Sequence, residues 1–190
     1  MITLVFFLEE LSAKALLEGL LPRFLPMDRL LLRFVVFEGK QDMEKQLARR
    51  MRLWRTPNSY FIVLRDQDSS DCKDVKRRLV ELCREARHPA ALVRVACREL
   101  ESWYIGDLEA VEVALGVTGI AKRRRREKYR IPDRLASPSR ELKELTGGVY
   151  QKVQGSRAIS RHLGVHGTNA SQSFGAFLAG VKRVVRQALE

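Results

Sequence analysis

The sequence predicts an α/β layer fold: a mainly parallel central sheet of about four strands flanked by helices, with a C-terminal helical extension. Three observations predict it. Strand-like apolar runs alternate four times with amphipathic helical segments in the first 118 of 190 positions, which is the rhythm of βα units. The strand-like runs lack polar alternation, as parallel strands covered on both faces do. The composition is 45% hydrophobic, an ordinary globular value, and a chain of this length can bury roughly 70% of its unfolded surface without staples.

The elements follow in order. Met1 to Leu8 is a short apolar run rich in β-branched and aromatic residues, hence a buried strand. Ser12 can cap the helix in "AKALLEGLLPRFL", whose leucines fall on one face. Leu31 to Phe37 is a second strand, and "EGKQDMEKQLARRMRLW" a helix with acids early and bases late, as the helix dipole favours. Tyr60 to Leu64 is a third strand, Cys72 to Ala86 a helix, and 90 to 97 a fourth strand. "ELESWYIGDLEAVEVAL" then has helical spacing, with Trp103, like Trp54 earlier, as a core anchor. After position 118 the character changes. "AKRRRREKYRIPDRLASPSREL" is a basic run followed by turn residues, and helix resumes in "YQKVQGSRAISRHL" and "SFGAFLAGVKRVVRQAL". The expected organisation is one domain: an α/β core over 1–118 and a basic, mostly helical extension over 119–190 packed on it.

Charge and cysteines narrow the function classes. Lys and Arg number 35 against 23 Asp and Glu, a net charge of +12, which favours polyanionic partners: nucleic acid first, an acidic protein second, anionic lipid a distant third. A merely soluble, Arg-rich surface is the plainer explanation. Cys72, Cys83 and Cys97 are odd in number and form no CxxC pair, which argues against a disulfide framework or zinc site and for a reducing cytoplasm. Cys72 reads as the first residue of a helix. His162 and His166 are four apart, but Gly164 and Gly167 argue for a helix end rather than a metal-binding face. The N-terminal stretch reads as neither signal peptide nor membrane span, and no membrane association is expected. No GxxxxGK[ST] loop occurs, so the chain is not expected to hydrolyse ATP itself.

The chemistry lies in the acids. In open α/β sheets, binding groups gather at the carboxyl ends of the strands. Glu9 and Glu10 follow the first strand, Asp66 and Asp68 the third, Glu99 and Glu101 the fourth; only the sheet could bring them together. Clustered carboxylates repel unless a cation intervenes, and their hard oxygens suit Mg²⁺ or Mn²⁺. In extended backbone Asp66 and Asp68 would share one side. Asp68-Ser69-Ser70 could instead simply cap a helix. If helical, Glu99 and Glu101 would lie on nearly opposite faces, so one of them faces a metal; Glu101, beside Ser102-Trp103, is favoured.

These residues carry a resemblance. Glu at the end of strand one with DxD at the end of a later strand resembles the Toprim (topoisomerase–primase) fold, a Rossmann-like layer fold. "FFLEELSAKALLEGLLP", "FEGKQDMEKQL", "VLRDQDSSDCKDVK" and "RVACRELESWYIGDL" are similar to a family of small prokaryotic Toprim-like proteins of unassigned function, often paired with an ATPase. Toprim domains usually carry Gly after the first catalytic Glu; Glu10 stands there, so Glu9 and Glu10 are both candidates, Glu9 favoured by position. The resemblance implies a nuclease using Mg²⁺ or Mn²⁺. Asp66 and Asp68 would be ligands, Glu9 a ligand or general base, and Glu99 or Glu101 part of a second site. In Toprim nucleases related to overcoming-lysogenization-defect (OLD) proteins a lysine neutralises charge on the scissile phosphate; Lys152 is the candidate here. The resemblance further implies an ATPase partner and a role in defence against phage.

Nucleic acid, DNA ahead of RNA, would be held by Lys122, Arg123, Arg124, Arg125 and Arg126, with Arg157 and Arg161 on the later helix. Gly155-Ser156, if it opens that helix, could offer backbone N–H groups to a phosphate. Homo-oligomerisation is compatible with all of this. The competing expectation is a non-catalytic subunit that binds nucleic acid or a partner and retains only a degenerate Toprim site.

Overall fold

The computed structural model describes residues 1–190. Strands β1 (Ile2–Leu8), β2 (Leu30–Val36), β3 (Ser59–Asp66) and β4 (Leu92–Ala96) form one sheet in the order β2-β1-β3-β4. All three pairings are parallel, with Leu8 opposite both Val36 and Leu64, and Asp66 opposite Ala96. The four expected strands are therefore present, with ends shifted by one or two residues.

Side-chain alternation divides the sheet between two cores. Leu4, Phe6, Leu8, Ile62, Leu64, Leu92 and Ala96 enter one apolar cluster; Val5, Phe7, Phe61, Val63, Val93 and Val95 enter the other. Both faces being covered is why β1 and β3 read as continuous apolar runs. The second cluster lies beneath α2 (Lys40–Arg52) and α3 (Cys72–Glu85). On the first face lie α1 (Leu11–Leu20), α4 (Glu101–Ile105), α5 (Leu108–Leu115), α6 (Pro138–Leu145), α7 (Lys152–Ser160) and α8 (Gln172–Leu189). No helix is long and apolar enough to cross a membrane.

Three sequence expectations change. The helix expected over "ELESWYIGDLEAVEVAL" breaks into α4 and α5 because Asp107 caps α5, accepting from the Ala110 N–H, and uses its other oxygen to accept from Gly164 N–H at 2.8 Å. The first helix is capped in position by Glu10, and Ser12 lies inside its first turn with its hydroxyl on the Glu10 carboxylate. Gly155-Ser156 does not open a helix; both are buried in the middle of α7, so their amides are not offered to a phosphate. Gly155 is there because the Tyr150 ring lies where a Cβ would be. The basic stretch forms short 3₁₀ turns at 121–125, 127–129 and 132–134, and Lys122 to Arg126 are exposed along them. Its apolar residues Ile120, Tyr129 and Leu135 join the first core.

α1 and α7 approach closely at Gly19, where any Cβ would overlap the Ser160 side chain. Gly19→Ala is therefore expected to destabilise by about 1–3 kcal/mol, the cost of overpacking, lowering Tm by roughly 2–4 °C per kcal/mol for a domain of this size. Thermal unfolding followed by circular dichroism checks this; an unchanged Tm would mean that the two helices have room to separate.

Candidate acidic site at the sheet's switch point

The order β2-β1-β3-β4 places β1 between a strand that follows it and one that comes later, so the chain winds in opposite directions on either side of β1. In an open α/β sheet the crevice forms at that switch point, outside the strand carboxyl ends. Here those ends carry Glu9 and Glu10 after β1 and Asp66 at the close of β3.

The pairing of β1 with β3 fixes the first contact. The Asp66 N–H donates to Glu9 Oε2 at 3.2 Å, extending the ladder by one side chain. Glu9 is 13% exposed, and Arg65 Nε lies 3.8 Å from the same oxygen. Arg65 is a charge inside a strand, 4% exposed, and its other partner is Glu44 on α2. Burial raises the Glu9 carboxyl above its ordinary range, with Asp68 and Glu10 adding repulsion against the Asp66 amide and Arg65.

Asp66 is the centre of the cluster. Desolvation pushes its carboxyl well above the usual range, and the negative charges of Glu101, Glu10 and Glu9 push the same way, against Lys152. Glu101, on the first turn of α4, is 1% exposed. Its Oε1 accepts from the Tyr150 hydroxyl at 2.9 Å, while Oε2 is buried with no hydrogen-bond partner. Desolvation raises this carboxyl too, against Lys152 and the Tyr150 hydrogen bond. Lys152 opens α7 and donates to Glu10 Oε2 at 2.6 Å. Burial would lower its pKa, but Glu10, Glu101 and Asp66 outweigh that and hold it above its ordinary value. Tyr104 completes the support: its hydroxyl donates to Ser156 Oγ, which donates to the Lys152 carbonyl.

Glu9, Glu10, Asp66, Glu101 and Lys152 are thus brought together. Asp68 is at the margin. Its φ of 57° takes it out of the extended backbone that would have set it on one side with Asp66; it repels Glu9 and pairs with Lys40 of α2 at 3.2 Å. Asp tolerates this left-handed conformation better than most residues. Glu99 is turned elsewhere: its carboxylate accepts from the Ser139 N–H at 2.7 Å and caps α6. Arg157 and Arg161 are exposed on α7 and just beyond it, and His162 and His166 lie in the turn that follows. Sequence reasoning missed Arg65, Tyr150 and Lys40. An arginine inside an apolar strand was the one available signal, since it needs a buried acid to face. A cleft of about 600 Å³ adjoins the cluster, lined by Glu10, Lys152 and Glu38 together with Leu11, Val36 and Val153.

A hard divalent cation suits this donor set. Glu101 presents a buried oxygen without a partner, and Asp66 carries a charge that its neighbours disfavour. No three Asp, Glu, His or Cys side chains already surround one point; Mg²⁺, which takes one or two carboxylates and keeps its waters, does not require such a closed set.

A family model described as a domain of unknown function (DUF4276) matches residues 8–182. Among solved structures, the C-terminal region of the OLD protein of Xanthomonas campestris pv. campestris is similar over 98% of each chain, with a TM-score of 0.51 and 16% identity. That likeness establishes the fold. No curated protein matches the chain.

Acids whose pKa rises on folding bind more protons in the native than in the unfolded chain. The contribution of these three acids to stability is therefore greatest below the ordinary Asp and Glu values of 3.8 and 4.5 and falls as pH climbs through their raised native values. Without metal, Asp66→Asn is expected to stabilise the protein at neutral pH and to flatten this decline. Mg²⁺ should raise the Tm of the wild type, by about 2.7 kcal/mol of stability at a hundred times Kd, and not that of Asp66→Asn. Scanning calorimetry across pH, with and without Mg²⁺, reads both; a wild type indifferent to Mg²⁺ and Mn²⁺ would count against a cation at Asp66.

Proposed function

We propose that this chain, which belongs to the DUF4276 family of unknown function, is a Mg²⁺- or Mn²⁺-dependent nuclease of Toprim type that cleaves phosphodiester bonds in nucleic acid. The observation that carries the reading is the desolvated Asp66–Glu101 pair, with one buried oxygen unpartnered, at the switch point of a parallel sheet. The fold shared with an OLD C-terminal region supports it.

Each residue then has a task. Asp66, Glu101 and Glu9 hold the cation, and Asp68 supports it from the margin. A bound divalent ion supplies positive charge that makes water a nucleophile and steadies the leaving oxygen. Tyr150 keeps Glu101 oriented, and Arg65 does the same for Glu9. Lys152, held near Asp66 and Glu101, faces the phosphate and offsets its charge. Lys122, Arg123, Arg124, Arg125 and Arg126, with Arg157 and Arg161, grip the phosphate backbone without regard to sequence and with strong salt dependence. The same reading makes DNA a better substrate than RNA, gives the chain an ATPase partner in a prokaryotic cytoplasm and a part in defence against phage, and allows self-association. The division into a core over 1–118 and a basic extension over 119–190 belongs to it: acids from the first part, most phosphate contacts from the second.

One observation favours a second reading, a non-catalytic subunit that binds nucleic acid or a partner. Glu10 stands where Toprim domains usually carry Gly, and it neutralises Lys152 directly.

The two readings separate in a cleavage assay on single- and double-stranded DNA and RNA with Mg²⁺ or Mn²⁺. A nuclease predicts metal-dependent cutting that falls about 10²-fold or more in Asp66→Ala, the scale of losing a group that stabilises developing charge, and a similar loss in Asp68→Ala. Cutting that survives both changes removes the assignment. Tight binding without cutting, in the presence of the partner ATPase, favours the second reading.

A further inference from the structure

The carboxyl end of β4 carries a second reactive cluster, distinct from the acids. Cys72, the first residue of α3, and Cys97, just past β4, come from different elements, yet their Sγ atoms are 3.3 Å apart. Both thiols are free and partly exposed, whereas Cys83, the third, is buried. The pair lines a surface cavity of about 390 Å³ whose walls include Lys76, Arg94, Asp133 and Gln172. A small polar reagent can therefore reach both sulfurs, and two cations help to admit an anionic one.

The scaffold holds the sulfurs in contact. The Cys97 N–H donates to Ser173 Oγ at 3.3 Å. The carbonyls on either side of it, of Ala96 and Arg98, accept from the N–H groups of Gln67 and Asp68. Cys72 is fixed by the Asp71 cap of α3, whose side chain accepts from Lys73 and Asp74 N–H. Two thiols from separate, anchored elements are thus in contact on the wall of one small cavity, where no third His, Cys, Asp or Glu completes a metal-binding group with them.

We propose that Cys72 and Cys97 form an oxidation-sensitive dithiol, a modification site that small oxidants entering this cavity convert to an intrachain disulfide. With hydrogen peroxide, the Cys72 thiolate attacks one peroxide oxygen and the O–O bond breaks. Cys72 becomes a sulfenic acid, and the departing hydroxide takes up a proton to leave as water. The Cys97 sulfur then attacks the Cys72 sulfur, the S–S bond forms, and the sulfenic hydroxyl leaves with the Cys97 proton as a second water. Two thiols have lost two electrons and two protons, and one peroxide has become two waters. A low-molecular-weight disulfide reaches the same product by two successive exchanges that release two thiols. The link would join the start of α3 to the end of β4 behind the loop carrying Asp68, and it stands whether or not the acidic site cuts nucleic acid.

The test is a peroxide titration of the whole chain, followed by alkylation under denaturing conditions, intact mass and peptide mapping. The expected product is a monomer that has lost two hydrogen atoms, with peptides joined through Cys72 and Cys97, Cys83 still alkylated, and full reversal by dithiothreitol. Cys83→Ser should behave as the wild type. Cys97→Ser should stop at a sulfenic acid on Cys72 that dimedone traps, and Cys72→Ser should form no intrachain link. The proposal is overturned if Cys72 and Cys97 both remain alkylatable, or if the oxidised wild type is linked through Cys83 or to a second chain.

Discussion

Like charges held together at the end of a parallel sheet are the constraint on which the remaining structure depends. The β1–β3 ladder sets Glu9 against the Asp66 amide, and β4 with its following turn delivers Glu101 from the other side. Nothing local would gather these carboxylates; each raises the pKa of its neighbours. The repulsion persists because two apolar clusters, one on each sheet face, fix the strands regardless. Storing such unfavourable charge at a site, with the cost met by distant packing, is the usual price of function.

The chain answers its own acids with three cations beside the cluster, Arg65 buried and Lys40 and Lys152 exposed at helix starts. Arg65 ties Glu9 to α2 through Glu44, Lys40 reaches Asp68 from the start of α2, and Lys152 brings the start of α7 to Glu10. Two helices, α2 and α7, are thereby anchored to the cluster by charge as well as by apolar contact. The exposed arginines at 123–126 take no part in this internal balance. In a chain of net charge +12, the acids and the three cations that pair with them form one unit, separate from the exposed bases at 122–126.

Much of this was legible in the sequence, for identifiable reasons. Strands buried on both faces announce themselves as apolar runs, so β1 to β4 were found, and the strand-end rule then pointed to Glu9, Glu10, Asp66, Asp68, Glu99 and Glu101, of which Asp68 lies at the margin and Glu99 turns away. Glu101 was favoured over Glu99 for its place beside Ser102-Trp103; in the structure Glu101 opens α4 facing Tyr150, and Glu99, before that helix, caps α6 instead. What stayed hidden depends on contacts between distant segments. Tyr150 meets Glu101 across 49 positions, and Gly155 reads as a turn residue until the Tyr150 ring is seen against it. Asp68 leaves the strand geometry through a left-handed turn that no spacing reveals. Cys72 and Cys97 look like unrelated cysteines because only the β3–β4 pairing and the placement of α3 bring them into contact.

The central claim is that Asp66 and Glu101 share a divalent cation at the sheet's switch point. Crystals soaked in MnCl₂ and measured at a wavelength where manganese scatters anomalously test it without any assay of activity. The account predicts an anomalous peak against the carboxylates of Asp66 and Glu101, with the otherwise unpartnered Glu101 oxygen turned towards it. A fully soaked crystal with that position empty and manganese bound only at other surface acids would contradict the account.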